Sequence, residues 1–186
     1  MRGAGCAGNM TRARIRFAEA EDIACLADIE RAAAKRFLPY LTWLDVSPEL
    51  LEGLVPPKFL REAQTENRLW VATVGERVVG FVVTKYLVES CFVVELDVHP
   101  DYCRRGIGSA LLETCCAGAY MHGFEKMLLT TFRRVPWNVP FYQKLGFSVL
   151  PPERWSREIQ AIVRHEARYG FAKEKRVVMA RSLTAC

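Results

Sequence analysis

The stretch VELDVHPDYCRRGIGSALL, residues 94–112, joins an apolar strand pattern to a helical pattern through a glycine loop. Gly106 and Gly108 stand where the helix should begin, so the backbone there can approach a ligand closely. Unpaired N–H groups and the positive end of the helix dipole make such a loop a site for phosphate. Arg104 and Arg105 add positive charge, although a solvated helix entry would also explain them. The stretch predicts a phosphorylated ligand.

Two other phosphate-binding motifs do not fit this loop. A dinucleotide-binding fingerprint requires a third glycine, but Leu111 stands at that position, and the preceding strands form a meander. A P-loop requires a Lys–Ser/Thr pair after its second glycine, and this loop has none. Neither a Rossmann nor a P-loop fold is therefore expected.

Length and composition indicate one globular domain. The chain has 186 residues, 51% hydrophobic and 25% charged, and we expect a flexible tail at 1–10 followed by a single domain at 11–186. Met1 and Met10 are both candidate starts. The net charge of +5 is spread along the chain, which fits an anionic cofactor better than nucleic acid. With no secretory signal and no apolar run of ~20 residues, we expect a cytoplasmic protein with no membrane partner.

Cysteines and histidines do not form a metal-binding pattern. The seven cysteines include no C-x-x-C pair, and the three histidines lie far apart in the sequence. We expect buried, reduced thiols and no metal site.

Hydrophobic periodicity predicts a mixed α and β fold with about six or seven strands. β-Branched and aromatic runs between residues 68 and 98, separated by Gly75-Glu76 and Glu89-Ser90, predict an antiparallel meander. Other strands are expected at 14–17, 126–132, 147–150 and 177–181. A first helix is expected at 22–37, and Pro39 would end it. Further helices are expected at 47–53, 57–65, 106–122, 137–145 and 157–169.

Two segments together resemble the GCN5-related N-acetyltransferase (GNAT) family. Residues 94–112 resemble its acetyl-CoA motif, in which a strand ending in V-x-P leads to R/Q-x-x-G-x-G/A. The segment WNVPFYQKLGF, residues 137–147, resembles the family's second signature, an asparagine followed by F-Y-x-K-L-G-F. One position departs from the pattern, since Cys103 stands where the family has Arg or Gln. Arg104 and Arg105 would then supply the side-chain charge beside the backbone amides.

The resemblance implies an acyl-CoA N-acyltransferase fold, in which a mostly antiparallel sheet is flanked by helices and is splayed between its fourth and fifth strands. The pantetheine arm of acetyl-CoA would lie in the splay, and the pyrophosphate would lie on the glycine loop. The residues that would bind this cofactor are Leu96, Asp97, Val98, Arg104, Arg105, Gly106, Ile107, Gly108, Ser109, Asn138 and Tyr142.

The implied reaction is direct acetyl transfer from the thioester to an amine. Tyr142 matches the tyrosine that protonates the thiolate leaving group, although it could instead be a core aromatic residue. Glu95 is the first candidate for the base that accepts the amine proton, and Asp97 is the second. Strand alternation places both on the face opposite Leu96. Thr130 or Thr131 would face the ligands from the opposite wall.

The sequence therefore predicts an acetyl-CoA-dependent N-acetyltransferase that acts on the primary amine of a small molecule. Two alternatives are a protein N-terminal or lysine acetyltransferase and a non-catalytic acyl-CoA-binding regulatory module. Dimers are common in the family, so the resemblance leaves a homodimer open. His165, on the charged helix predicted at 157–169, is interpreted as part of a solvated face and is given no role in the reaction.

Overall fold

The central sheet has seven strands in the order β1-β2-β3-β4-β5-β7-β6. The computed structural model describes residues 12–49 and 53–184. All neighbouring strands are antiparallel except β4 and β5, which are parallel. The predicted mixed, mostly antiparallel sheet is confirmed. The strands are β1 Arg14–Phe17, β2 Leu69–Val74, β3 Arg77–Tyr86, β4 Cys91–Val98, β5 Lys126–Phe132, β6 Ser148–Val149 and β7 Arg176–Ser182.

Within the described residues, six α-helices accompany the sheet. None of them is long and apolar enough to cross a membrane. The helices are α1 Ile23–Ala34, α2 Leu41–Leu44, α3 Pro57–Thr65, α4 Ile107–Met121, α5 Asn138–Lys144 and α6 Arg157–Arg168.

The first predicted helix differs from the observed one. Helix α1 ends at Ala34 and continues as a 3₁₀ turn at Lys35–Tyr40, which contains Pro39 and leads into α2. Pro39 does not end the helical path, because a 3₁₀ turn does not use the i−4 carbonyl with which a proline ring clashes. A further helix is predicted at 47–53. Residues 48–49 of it form part of a 3₁₀ turn, and residues 50–52 lie outside the described residues. The tail predicted at 1–10 also lies outside them.

Helices cover both faces of the sheet. On one face, α4 buries a stripe that includes Leu111, Leu112 and Cys115 against the inner strands. Gly118 allows this close packing, because a Cβ there would lie 2.9 Å from Cζ2 of Trp70. On the other face, α1 and α3 pack on β2 and β3, and α6 packs on β4, β5 and β7. Burial of these apolar faces fixes the positions of the strand ends.

A β-bulge in β4 changes the face on which its side chains lie. Val93 pairs with Thr84 and Glu95 pairs with Val83, so Val94 is the extra residue in β4. Cys91 and Val93 pack in the cluster under α4, and beyond the bulge it is Leu96 and Val98 that pack there. Glu95 and Asp97 therefore lie on the opposite face, toward α1.

Strands β4 and β5 separate directly after the bulge. Their pairing consists of residues 91–93 with 127–129, and no later residue of β4 pairs with β5. Strand β5 continues to Phe132 along β7, and β4 continues to Val98 along β3. Beyond the bulge, Gly80 of β3 lies close to the β4 backbone. A Cβ added at Gly80 would lie 2.8 Å from the carbonyl oxygen of Asp97. The splay predicted between the fourth and fifth strands is confirmed, and it opens a cleft.

Candidate active site

A cavity of about 730 Å³ occupies the splay between β4 and β5. It is lined by residues 94–98 of β4, by the end of β5 and by the glycine loop. Helix α5 and the segment that joins α1 to α2 complete its walls. Of the residues predicted to bind the cofactor, Arg105 is the one that does not line the cavity. The others are brought together there: Leu96, Asp97, Val98, Arg104, Gly106, Ile107, Gly108, Ser109, Asn138 and Tyr142.

The glycine loop presents unpaired backbone donors to the cavity. Gly106 is the N-cap of α4 with φ of 79°, a left-handed conformation that favours glycine. The first backbone bond of the helix runs from the N–H of Ala110 to the carbonyl of Gly106. The N–H groups of Ile107, Gly108 and Ser109 therefore have no partner within the helix, and the positive end of the α4 dipole lies behind them. This arrangement fits a pyrophosphate.

The arginines near the loop have different positions. Arg104 lines the cavity, whereas Arg105 donates to the carbonyl of Asp101 at 2.9 Å and stacks on the ring of Tyr102. A third arginine, Arg36, reaches the loop from the segment after α1. Its Nη1 lies 3.6 Å from Sγ of Cys103, at the position where the resemblance leads one to expect Arg or Gln. Sequence analysis missed Arg36 because it is 67 positions away in the chain.

Tyr142 lies on the cavity wall next to the cofactor residues. Its ring packs on Phe141 and Phe147, with centroid separations of 5.0 and 5.9 Å. The ring therefore has the packing expected of a core aromatic residue. Burial raises the pKa of the Tyr142 hydroxyl, and the nearby carboxyls of Glu95 and Asp97 raise it further. The hydroxyl therefore stays protonated at neutral pH and can donate a proton.

Carboxyl groups converge on the face of β4 toward α1. Burial raises the pKa values of Glu95 and Asp97, and Glu95 also raises that of Asp97. The pKa of Glu30, on α1, rises to about 7 through burial and the proximity of Glu95. Its Oε1 accepts from the N–H of Val55 at 2.9 Å, while its Oε2 is buried without a hydrogen-bond partner in the described structure. Sequence analysis missed Glu30.

The opposite wall carries a hydrogen-bonded ion pair. Arg176 of β7 donates to both carboxylate oxygens of Glu166 at 3.2 Å and to Oγ1 of Thr130 at 2.8 Å. Thr130 also donates to Glu166. His165 is exposed, as expected for a solvated helix face, whereas its neighbour Glu166 lines the cavity. Both predicted threonines line the cavity, and Thr131 accepts from Nδ2 of Asn138 at 2.8 Å.

Aromatic rings surround the part of the cavity that lies near this ion pair. The guanidinium of Arg176 lies 4.9 Å from the ring of Phe132 and 5.3 Å from that of Phe171. Phe37 packs against Phe132 and Trp137, and Arg36 lies over the Trp137 ring at 4.8 Å. This part of the cavity combines aromatic surface with two guanidinium groups and the carboxylate of Glu166.

A family comparison agrees with this geometry. Residues 65–149, which include β2 to β5, the glycine loop and α5, match the model of the acetyltransferase (GNAT) domain. This part of the chain is similar to a GNAT acetyltransferase domain. The match includes both segments on which the resemblance was based, 94–112 and 137–147.

Solved structures show the same fold over nearly the whole chain. The ribosomal-protein-S18-alanine N-acetyltransferase of Escherichia coli is 18% identical, with a TM-score of 0.64 over 94% of this chain and 96% of its own. The PaiA N-acetyltransferase of Thermoplasma acidophilum, solved with coenzyme A, is 18% identical and has a TM-score of 0.63. The match covers 92% of this chain and 99% of that protein. The N-acetylglutamate synthase of Neisseria gonorrhoeae, solved with coenzyme A and N-acetyl-glutamate, is 15% identical and has a TM-score of 0.70. The match covers 94% of this chain and 36% of that protein.

The raised pKa of Glu30 predicts a pH-dependent stability difference. A carboxyl whose pKa rises on folding from 4.5 to about 7 destabilises the folded state as pH increases through this range. Glu30→Gln removes that cost and keeps an acceptor for the N–H of Val55. We expect the variant to gain about 1–3 kcal/mol in free energy of unfolding over the wild type at pH 8, and little at pH 4.

Urea denaturation at the two pH values measures this difference. Asp28→Asn, an exposed change on the same helix, serves as the control and should show no such pH-dependent gain. An equal stability difference for Glu30→Gln at pH 4 and pH 8 would contradict the assignment of a raised pKa.

Proposed function

We propose that this chain is an acetyl-CoA-dependent N-acetyltransferase that acetylates the primary amine of a small molecule. The observation that carries the proposal is the position of three kinds of group in one cavity: the unpaired amides of the glycine loop, the protonated hydroxyl of Tyr142, and the carboxyls of Glu95 and Asp97. A phosphate site, a proton donor and a proton acceptor are what acetyl transfer to an amine requires.

Coenzyme A fits the cleft in three respects. The loop at residues 104–109 provides backbone N–H groups for the pyrophosphate, assisted by the side chains of Arg36 and Arg104. The β4 backbone at residues 96–98 has no pairing with β5, so it can bond the amides of the pantetheine arm. Two of its groups have other partners, since the N–H of Leu96 donates to Oε1 of Glu95 at 3.3 Å and the carbonyl of Val98 accepts from Sγ of Cys103 at 3.6 Å. Asn138 lies on the facing wall, where its side chain is held by Thr131. The presence of coenzyme A in two of the similar structures supports this assignment.

Tyr142 has the properties of a general acid. When bound, the thioester of acetyl-CoA supplies an activated acetyl group. Tyr142 would donate a proton to the departing sulfur, because it lines the cleft and its hydroxyl is protonated at neutral pH. A buried hydroxyl beside carboxyl groups has no use in a pure binding module, so the regulatory alternative is less well supported.

Glu95 is the proposed base, and Asp97 stays the second candidate. An amine with pKa ~10.4 is about 0.1% neutral at pH 7.4, which corresponds to ~4 kcal/mol. A carboxyl with a raised pKa accepts the ammonium proton more readily than an ordinary one. The nitrogen then bonds to the acetyl carbon as the carbon–sulfur bond breaks. Of the two protons that the ammonium group loses, one is released to water and the other replaces the proton given by Tyr142.

A small-molecule acceptor is preferred to a protein because of the shape of the cavity. At about 730 Å³, the volume must hold both the acyl arm and the acceptor, and Phe37, Trp137 and Phe171 line it. The homodimer and the cytoplasmic location stay predictions from the sequence.

Tyr142→Phe tests the proposed general acid. The change removes the proton donor and keeps the ring packing, so we expect kcat to fall tenfold or more while the Kd of coenzyme A changes less than threefold. Thiol release with a panel of amines measures kcat, and calorimetry measures Kd. Tyr120→Phe, at an exposed site on α4, is the matched control and should keep wild-type kcat. Unchanged kcat in Tyr142→Phe would contradict the role.

Arg36→Ala tests the phosphate assignment. If Arg36 supplies the charge that Cys103 lacks, the Kd of coenzyme A should rise about 10- to 150-fold, the range for one charge-assisted hydrogen bond. The affinity for pantetheine, which has no phosphate, should not change. Lys35→Ala, at the neighbouring exposed position, is the control. Introducing Cys103→Arg into the Arg36→Ala variant should restore affinity, whereas an equal loss of affinity for both ligands would contradict the assignment.

A further inference from the structure

Arg68 is a buried cation that no step of the proposed reaction uses. It directly precedes β2 and is 7% exposed, and its guanidinium lies 5.6 Å from the ring of Phe59 and 5.7 Å from that of Tyr86. Its Nε donates to the carboxylate of Glu66 at 2.6 Å, but the side chain of Glu66 is more than half exposed. An exposed cation would pair with such a carboxylate and keep its hydration, so the ion pair does not account for the burial of Arg68.

The buried guanidinium bonds the backbone of Thr84 in β3. Nη1 of Arg68 donates to the carbonyl of Thr84, and the carbonyl of Arg68 accepts from the N–H of Thr84 at 3.0 Å. Oγ1 of Thr84 donates to the same carbonyl at 3.4 Å. Thr84 is fully buried, so water does not replace these bonds. The main chain and the side chain of Arg68 therefore both hold Thr84 from the β2 side.

Thr84 lies opposite the bulge of β4. It pairs with Val93, whereas the preceding residue of β3, Val83, pairs with Glu95. The extra residue Val94 lies between these two pairs. Thr84 is therefore one of the two β3 residues between which the register of β4 changes.

Arg68 also lies where the pairing of β3 with β2 ends. Strand β2 begins at Leu69, whose partner is Val83, so within the described residues this pairing stops one residue before Thr84. The bonds from Arg68 extend the hold on β3 to the residue that faces the bulge. A shift of one residue in the pairing of β3 with β4 would turn Glu95 from the face toward α1 to the face under α4.

We propose that Arg68 is a positioning residue for acetyl transfer: by holding Thr84 it fixes the bulge of β4, and the bulge keeps the carboxyl of Glu95 at the reaction site. This inference rests on the proposed function and adds to it a residue outside the described cavity. The burial of the guanidinium follows from this role, because a charged donor that bonds a carbonyl inside the sheet must itself lie inside.

Two substitutions of Arg68 separate the bond to Thr84 from the volume of the side chain. Arg68→Met keeps an apolar stem and removes the donor, whereas Arg68→Lys keeps a cationic donor for the carbonyl of Thr84. We expect kcat of Arg68→Met to fall about tenfold or more, since a small misplacement of a reacting group is costly, and kcat of Arg68→Lys to be at least about fivefold above it. Thiol release at saturating acetyl-CoA, with the most rapidly acetylated amine of the panel, measures kcat.

Glu66→Gln is the matched control, because it breaks the ion pair of Arg68 and keeps the bond to Thr84. Its kcat should stay within about threefold of the wild type, as expected for an exposed ion pair. Unchanged kcat in Arg68→Met, or an equal fall in Glu66→Gln, would overturn the proposal.

A double-mutant cycle with Glu95→Gln distinguishes positioning from a general loss of stability. If Arg68 acts through Glu95, Arg68→Met should lower kcat less than about threefold in the Glu95→Gln background, because the carboxyl that it positions is already absent. A loosened fold would lower kcat by the same factor in both backgrounds, and that result would overturn the proposal. The variants are compared at a temperature at which circular dichroism shows all of them folded.

Hydrogen exchange gives a readout that does not depend on the reaction. Amides at residues 93–96 of β4 should exchange at least about tenfold faster in Arg68→Met than in the wild type, while those of α6 and β7 change less than about threefold. If Arg68→Met does not fold, Arg68→Gln replaces it, because its donor ends two bonds short of the Nη1 position. Equal acceleration in all strands would overturn the proposal.

The positioning role and the proposed function fail in different ways. Faster exchange at residues 93–96 in Arg68→Met, with no thiol release by the wild type from any amine, would overturn the proposed function and keep the role of Arg68 at the bulge. Thiol release by the wild type, with kcat and exchange unchanged in Arg68→Met, would overturn the positioning role and keep the N-acetyltransferase.

Discussion

The separation of β4 from β5 is the constraint on which the site depends. Three residue pairs hold the two parallel strands together, and the bulge at Val94 ends their pairing. Buried backbone groups normally find partners, so a strand segment left unpaired beside a cavity favours a ligand that bonds like a further strand. The packing of α4 on one face and α1 on the other keeps the cleft open, because each strand is anchored to a different set of neighbours.

The same bulge determines the electrostatics of the cleft. By shifting the side-chain alternation by one residue, it places Glu95 and Asp97 opposite the apolar cluster under α4 and next to Glu30. Burial raises the pKa of the Tyr142 hydroxyl, and Glu95 and Asp97 raise it further. The positions of the proposed base and of its neighbouring carboxyl therefore depend on one extra residue in β4.

Much of the fold was predictable from the sequence, because periodicity and glycine positions are local signals. The meander, α4 and the glycine loop belong to this part. The bulge was not predictable, since residues 91–94 are all apolar and hide a change of face. Glu30 gave one signal, a charge between the apolar positions Ile29 and Ala33, whereas Glu166 was hidden among charged neighbours on α6. Arg36 could not be linked to Cys103, because only tertiary packing brings them together.

Hydrogen exchange with and without coenzyme A tests the central claim most directly, because it follows the β4 backbone that the splay separates from β5. The account predicts slower amide exchange at residues 95–98 of β4 and 104–109 of the glycine loop at saturating coenzyme A, with no change in β1 and β2. Unchanged exchange in both of these segments at saturation, or protection confined to another part of the chain, would contradict it.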